Sequence, residues 1–163
     1  MTDKPATKTH VGLIRRLMTI VYDSFLIFAC CLLTGGIVVA TKVSMIDSDQ
    51  IENMRLNGER AINGPIESGI LFLVCLATAF LFYGYFWRKT GQTLAMQAWR
   101  SKIVDSNTGG TPSWSQCAIR FIVGMLSFAL VGLGFFWMLV DRDKKTWQDR
   151  ASATELVLLP KRK

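Results

Sequence analysis

The first long apolar run of the chain opens with Arg15-Arg16-Leu17-Met18-Thr19-Ile20-Val21-Tyr22-Asp23. Its two arginines give the run a basic edge, as expected where a helix enters a bilayer and long cationic side chains reach the headgroups. Asp23 is two helical turns beyond Arg16 and lies about 10 Å deeper, at a rise of about 1.5 Å per residue. An ionisable group at that depth is costly and needs a partner. Arg120, at the edge of another apolar run, is the expected counter-charge.

Three apolar runs decide the fold class. Residues 17–40 carry one charge in 24 positions, residues 70–87 carry none in 18, and residues 121–140 carry none in 20. A helix that crosses a hydrocarbon core of roughly 30 Å needs about 20 apolar residues. The alternative of a soluble bundle is disfavoured, because these runs lack the polar stripe that such helices present to water. We therefore predict an all-α membrane protein with two transmembrane helices, a third, glycine-broken membrane segment, and a small cytoplasmic pair of strands.

The same runs divide the chain, which we interpret as one membrane domain over residues 1–163. The first run is too long for the apolar core of a cleaved signal peptide and no A-x-A site follows it, so we expect it to be retained. The predicted segments are a polar leader (1–11), a first transmembrane helix (17–40), an external loop (41–65), a second transmembrane helix (66–87), a cytoplasmic segment (88–116), a third membrane segment (117–140) and a basic tail (141–163).

Basic residues predict the orientation. Lys and Arg number four up to residue 16, three in residues 41–65, four in residues 88–116 and seven in the tail. The excess of Lys and Arg in cytoplasmic loops favours a cytoplasmic N-terminus and a cytoplasmic 88–116 segment. Three simple spans would nevertheless put the tail, the most basic segment, outside.

A break in the third segment resolves this conflict. Gly132-Leu133-Gly134 lies near the middle of the run, and glycine is suited to breaking a helix. Broken helices are tolerated at membrane depth where protein buries them. We favour a re-entrant or hairpin-like segment with arms at residues 117–131 and 135–140. A straight third helix with an external tail remains the alternative.

Short elements are predicted between the runs. Residues 102–105 and 155–159 are typical of strands, and their pairing would require the tail and the 88–116 segment to share one side of the membrane. The alternative is a loop and a frayed end. Residues 93–100 favour an interfacial helix, with three apolar side chains towards lipid: Leu94, Met96 and Trp99.

Helix-start signals complete this prediction. Ser113 and Gln116 have the spacing of a capping box, Pro65 suits the first turn of a helix, and residues 51–60 predict a short helix within the external loop.

Several classes of function are excluded by composition. The net charge of +7 collects at the ends of the apolar runs, which indicates contact with the bilayer and its anionic headgroups and not with nucleic acid. The single histidine, His10, cannot supply a histidine metal site or triad. No cysteine spacing typical of metal ligands occurs, so we expect packing roles for Cys30, Cys31, Cys75 and Cys117. We also find no nucleophile–base pair and no phosphate loop, and we expect no cofactor and no enzymatic activity.

Four motifs occur in order along the chain. They are Arg16-Leu17 with Asp23, Gly91-Gln92-Thr93-Leu94, Gln116 with Arg120, and Lys145-Thr146-Trp147-Gln148-Asp149-Arg150 with Thr154. Together they resemble the RDD family of bacterial membrane proteins, which is named for an arginine and two aspartates. By position, Arg16, Asp23 and Asp149 match the named residues, and Arg120 matches a further common arginine. The resemblance covers the chain from about residue 12 to residue 159 and implies an integral protein of the bacterial inner membrane.

The chain departs from the family pattern at three positions. Ala95 stands where glycine often follows Gly-Gln-Thr-Leu, and Ala153 stands where glycine often precedes the final threonine. Gln148 stands where histidine often precedes the tail aspartate. Because an amide does not exchange protons near neutral pH, the change to Gln148 argues against proton handling at that position.

Two functions remain open from the sequence. The resemblance implies transport or ion exchange, in which Arg16, Asp23, Arg120 and Asp149 form a charged cluster along a polar path. The alternative is a non-catalytic accessory or assembly protein, whose charged cluster holds its fold or docks a larger membrane complex. For either function, the expected protein partner is a second copy or another membrane protein. Spacing alone does not decide between a functional and a structural role for Asp23 and Arg120.

Overall fold

A computed structural model of the protein describes residues 11–58 and 64–160. Of the predicted leader only Val11 is described, and residues 59–63 of the loop and 161–163 of the tail lie outside the described residues. In chain order the elements are α1 (Leu13–Ser44), α2 (Ser48–Asn57), α3 (Pro65–Lys89), α4 (Leu94–Ala98), β1 (Ser101–Asp105), α5 (Trp114–Ala129), α6 (Leu133–Val140), α7 (Trp147–Ala151) and β2 (Thr154–Leu158).

Two helices, α1 and α3, are long and apolar enough to cross a membrane. They have 32 and 25 residues, and the spans predicted at residues 17–40 and 66–87 lie inside them. As predicted, Pro65 begins α3. Charges at the ends of α3 suit its dipole, with Glu67 in the first turn and Arg88 and Lys89 in the last.

The described chain forms two compact units. One contains residues 11–24 and 82–160, and the other contains residues 25–58 and 64–81. We call them the terminal unit and the middle unit.

In the middle unit, α1 and α3 meet through small and polar side chains. The hydroxyl oxygens of Thr34 and Thr78 lie 3.4 Å apart, and the ammonium of Lys42 forms an ion pair with Glu67. The short helix predicted at residues 51–60 is α2, which ends at Asn57 because Gly58 turns the chain with a φ of 67°.

In the terminal unit, β1 and β2 pair antiparallel, from Ser101 opposite Leu158 to Asp105 opposite Thr154. This confirms both predicted strands and their pairing. The pairing brings together two segments that α5, α6 and α7 separate along the sequence.

A sharp bend separates α5 from α6. The two helices meet at 97° across residues 130–132, where Gly132 adopts a φ of 79° and is the N-cap residue of α6. Gly134 lets α6 approach α5, because a Cβ at that position would overlap the side chain of Ser127. The predicted capping box at the start of α5 is confirmed, with Ser113 and Gln116 each bonded to the backbone N–H of the other.

The core of the terminal unit includes side chains from α3, α4, α5, both strands and the residues before α1. They are Val11, Trp87, Met96, Ile103, Cys117 and Leu156. The short helix predicted at residues 93–100 is confirmed by α4, but the prediction that the Met96 side chain lies towards lipid is wrong. Met96 is 6% exposed and packs in this core, whereas Leu94 is exposed. The apolar side chains of α4 are therefore divided between the protein interior and its surface.

Candidate functional site: a buried charged cluster beside a cavity

The short helix α7 positions Asp149. Thr146 is the N-cap residue, and its side chain accepts a hydrogen bond from the backbone N–H of Asp149. The Asp149 Oδ2 atom in turn accepts one from the N–H of Thr146, at 3.1 Å. This reciprocal capping box satisfies two N–H groups at the helix start and leaves the carboxylate fixed in one orientation.

Two arginines from distant parts of the chain bind this carboxylate, one at each oxygen. Arg16 Nη1 lies 2.5 Å from Asp149 Oδ2, and Arg120 Nη1 lies 2.6 Å from Asp149 Oδ1. All three side chains are buried, with exposures of 5%, 7% and 0% for Arg16, Arg120 and Asp149. We call Arg16, Arg120 and Asp149 the arginine clamp.

Further contacts hold the two guanidiniums of the clamp. Arg120 Nη1 donates to the hydroxyl of Thr154 at 2.7 Å, and the guanidinium lies 5.7 Å from the ring centre of Trp87, within the range of a cation–π contact. Arg16 Nε donates to the carbonyl of Val11 at 3.3 Å. The clamp therefore ties the start of α1, α5, α7 and β2 together.

The clamp keeps Asp149 ionised. Burial by itself raises the pKa of the Asp149 carboxyl, but the guanidiniums of Arg120 and Arg16 and the N–H of Thr146 lower it more, and the resulting pKa is about 2. This value lies below the ordinary value of 3.8, so the anion is preferred in the folded protein over a wide range of pH.

We expect this lowered pKa to make the folded protein acid-sensitive. The carboxyl binds its proton less readily in the folded protein than in the unfolded chain. Its contribution to the free energy of unfolding is therefore complete above about pH 4 and is lost as the pH falls through about 2. The contribution at neutral pH is about 2 kcal/mol. Denaturant titrations in detergent at a series of pH values would measure this loss.

A matched double variant separates Asp149 from other acids in this experiment. Backbone N–H groups of Lys145 and Asn107 also lower the pKa values of Asp141 and Asp105, respectively. The double variant with Asp105→Asn and Asp141→Asn should therefore still lose stability as the pH falls, because it keeps Asp149. A flat stability between pH 4 and pH 2 in that double variant would contradict the assignment.

Asp23 is buried but lies outside the clamp. It is 2% exposed, and its Oδ2 atom accepts a hydrogen bond from the Thr93 hydroxyl at 2.6 Å. Its Oδ1 atom has no hydrogen-bond partner within the described residues. The predicted pairing of Asp23 with Arg120 is wrong, because Arg120 is bonded to Asp149 and Thr154 and Asp23 meets the loop before α4.

A cavity of about 150 Å³ connects Asp23 with the clamp. Arg16, Asp23 and Arg120 all line it, with Gln148 and Trp87. Besides Asp23 Oδ1, two buried polar atoms of these side chains have no partner among the described residues, namely Trp87 Nε1 and Gln148 Oε1. Most of the remaining lining is aromatic or sulfur-containing and includes Tyr83, Met96, Phe121, Met125, Phe128 and Phe135.

All four charged residues predicted from the sequence are therefore found in one region of the terminal unit, but in two roles. Arg16, Arg120 and Asp149 form the clamp, whereas Asp23 faces the cavity beside it. In residues 11–58 and 64–160, no three His, Cys, Asp or Glu side chains lie close enough to hold a metal ion.

Three buried threonines support these charges and were not predicted as site residues. Thr93 donates to Asp23, Thr146 caps α7, and Thr154 accepts from Arg120. Each is fully buried. The signal was present, since all three stand within the motifs that carry the family resemblance.

The departures from the family pattern can now be interpreted. Ala153 adopts a φ of 50°, a left-handed conformation that favours glycine, so alanine is strained where the family often has glycine. Gln148 is 5% exposed and lines the cavity. Ala95 is buried within α4.

Comparison with known proteins identifies the family of the chain. The model of the RDD family matches residues 10–153, which is most of the chain and contains Arg16, Asp23, Arg120 and Asp149. No curated protein sequence and no solved structure matches the chain. With the family motifs in order, two helices long enough to span a membrane and the arginine clamp formed from the motif residues, the chain belongs to the RDD family of membrane proteins.

Proposed function

We propose that this protein is a multi-pass transporter of the bacterial inner membrane, which passes a small solute or ion through the cavity beside Asp23. One observation carries the proposal. Asp23 lines the cavity, and its buried Oδ1 atom has no hydrogen-bond partner in the described residues. Buried polar groups that serve only packing are almost always satisfied, and an ionisable group within a transmembrane segment indicates function.

In contrast to Asp23, the arginine clamp supports a structural role. Both oxygens of Asp149 are occupied by guanidiniums. The N–H of Thr146 also donates to Asp149, and the hydroxyl of Thr154 accepts from Arg120. Removing one charge would leave the others buried and unpaired, at a large cost. We therefore assign the arginine clamp to holding one wall of the cavity, and Asp23 to contact with the transported species.

The proposed orientation has the leader, the 88–116 segment and the tail in the cytoplasm. The pairing of β1 with β2 supports a return of the chain after α5, since strands that pair share one side of the membrane. The bend at Gly132 supports a re-entrant third segment made of α5 and α6. Basic residues near the helix ends then contact anionic headgroups, and a second copy or another membrane protein is the proposed partner. No catalytic step is assigned.

Proton flux through reconstituted protein tests the proposal. Proteoliposomes that contain pyranine would be exposed to a potassium gradient with valinomycin, and the internal pH would be followed. We expect flux above that of protein-free liposomes from the wild type, and flux at the protein-free level from Asp23→Asn. Asp143→Asn is the matched control, because its side chain is 67% exposed, and it should retain wild-type flux.

The amounts of protein in the membrane decide the interpretation. Asp23→Asn should accumulate normally, since the amide that replaces the carboxylate keeps an oxygen for the Thr93 hydroxyl. Equal proton flux from the wild type and Asp23→Asn, or no proton flux from either, would contradict proton transport through this site and would favour an accessory role in a larger membrane complex.

A further inference from the structure

Three residues that line the cavity each have one buried polar atom without a partner in the described residues, and these atoms differ in kind. Asp23 Oδ1 and Gln148 Oε1 are acceptors, whereas Trp87 Nε1 carries a hydrogen and is a donor. Their residues are 2%, 5% and 8% exposed, so bulk water does not reach them freely. An occupant that fits must therefore both donate and accept hydrogen bonds.

The charges around the cavity favour a neutral occupant. When both acids are ionised, the two cations, Arg16 and Arg120, are balanced by Asp23 and Asp149, and the formal charges cancel. Both cations are already bonded to Asp149. A charged ligand would add an uncompensated charge to a buried site, which is costly, and a hydroxyl satisfies the unmatched atoms without that cost.

The size and lining of the cavity favour an aromatic ring. A cavity of about 150 Å³ has the volume of an engineered protein cavity that binds benzene. Rings of Trp87, Tyr83 and Phe121 line it, and aromatic groups pack well against one another at their edges and offset faces. Two further lining residues, Met125 and Phe128, are 41% and 60% exposed on the apolar surface of α5. The cavity therefore extends to a surface that faces lipid in the proposed orientation.

We propose that the cavity binds a neutral hydroxylated aromatic ring of the phenol class, which enters from the membrane. The hydroxyl donates to Asp23 Oδ1 or Gln148 Oε1 and accepts from Trp87 Nε1, and the ring packs against the aromatic wall. This inference rests on the proposed function only in using the same cavity, since binding does not require that the ligand be transported.

Fluorine NMR of the purified full-length protein in detergent micelles tests the proposal. The probes are 4-fluorophenol, fluorobenzene and 4-fluorobenzylamine, which is cationic at neutral pH. We expect a protein-dependent shift of the 4-fluorophenol resonance. Fluorobenzene should bind at least about tenfold more weakly than 4-fluorophenol, because it leaves the buried polar atoms unpaired.

Substitutions at two glycines, Gly124 and Gly36, test whether the ligand binds in the cavity. Gly124 lines the cavity and has open space where a Cβ would stand, so Gly124→Leu should fill the cavity and remove the shift. Gly36 also has open space at its Cβ but is absent from the lining, so Gly36→Leu should retain the shift. If Gly124→Leu does not accumulate, Gly124→Ala takes its place and should weaken binding.

Four outcomes would overturn the inference: no protein-dependent shift of 4-fluorophenol, equal binding of fluorobenzene, tighter binding of 4-fluorobenzylamine, or wild-type binding by the Gly124 variants. These results are distinct from a failure of the proposed transport. Phenol binding without proton flux would leave this inference standing and refute proton transport, whereas proton flux that depends on Asp23 without phenol binding would do the reverse.

Discussion

Asp149→Asn is expected to lower the free energy of unfolding by about 3–5 kcal/mol, the usual cost of removing one partner from a buried ion pair. The substitution preserves the shape of the side chain but not its chemistry. In the wild type both oxygens accept hydrogen bonds from arginines, at 2.5 and 2.6 Å. An amide would turn an N–H₂ group towards one of these guanidiniums, and two donors would then face each other. Two buried cations would also lose their only counter-charge in the clamp.

Reversible denaturation in mixed micelles measures this effect. Asp143→Asn is the control on the same segment, because its ion pair with Arg150 is 3.6 Å long and exposed, and such pairs contribute about 0–1 kcal/mol. Replacing the whole clamp by Arg16→Met, Arg120→Met and Asp149→Leu should recover much of the lost stability, since apolar residues of similar volume can replace a buried ionic cluster. Equal stabilities of Asp149→Asn and Asp143→Asn would refute the clamp.

Gly91→Ala is expected to destabilise the terminal unit by about 3 kcal/mol, for two reasons that add. Gly91 has a φ of 74°, which is unfavourable for alanine. A Cβ at this position would also lie 2.5 Å from the carbonyl oxygen of Ile103. That oxygen belongs to strand β1 and cannot move away easily, because the N–H of Ile103 donates to the Gly91 carbonyl at 2.8 Å.

Gly109→Ala separates the two causes. Gly109 has a φ of 70° but no atom within 4 Å of its Cβ position, so it should lose only about 1 kcal/mol through backbone strain. Denaturation of the two variants in parallel would measure the difference, which we assign to the contact between Gly91 and β1. Equal losses would contradict that assignment.

Much of the fold could be predicted from the sequence, because its main signals are local. The two long helices follow from runs of apolar residues, and the capping box at Ser113 follows from spacing along one turn. The pairing of β1 with β2 could also be predicted, since their short β-type runs are the two strand signals in the chain. Met96 was placed wrongly because a five-residue helix presents too few positions to show which side is buried.

The partners of the charged residues were harder to predict. Asp23 and Arg120 are the two charges at apolar runs, and attraction between opposite charges suggested their pairing. The structure instead gives Asp23 a hydroxyl from Thr93 and gives Arg120 the carboxylate of Asp149. Asp149 lies in the basic tail of the sequence, and its burial against Arg16 and Arg120 depends on the return of the chain through α6 and α7. The cavity depends on packing between elements that are far apart in sequence, so no local pattern indicates it.

The return of the tail to the side of the leader is the central claim, and cysteine accessibility in intact cells tests it most directly. In a variant without the four native cysteines, single cysteines would replace the exposed residues Asp143, after α6, and Asp49, on α2. An impermeant maleimide should label residue 49 in intact cells and residue 143 only after permeabilisation. Labelling of residue 143 in intact cells would mean that the third segment crosses fully, and Asp149 could not then meet Arg16 in one buried clamp.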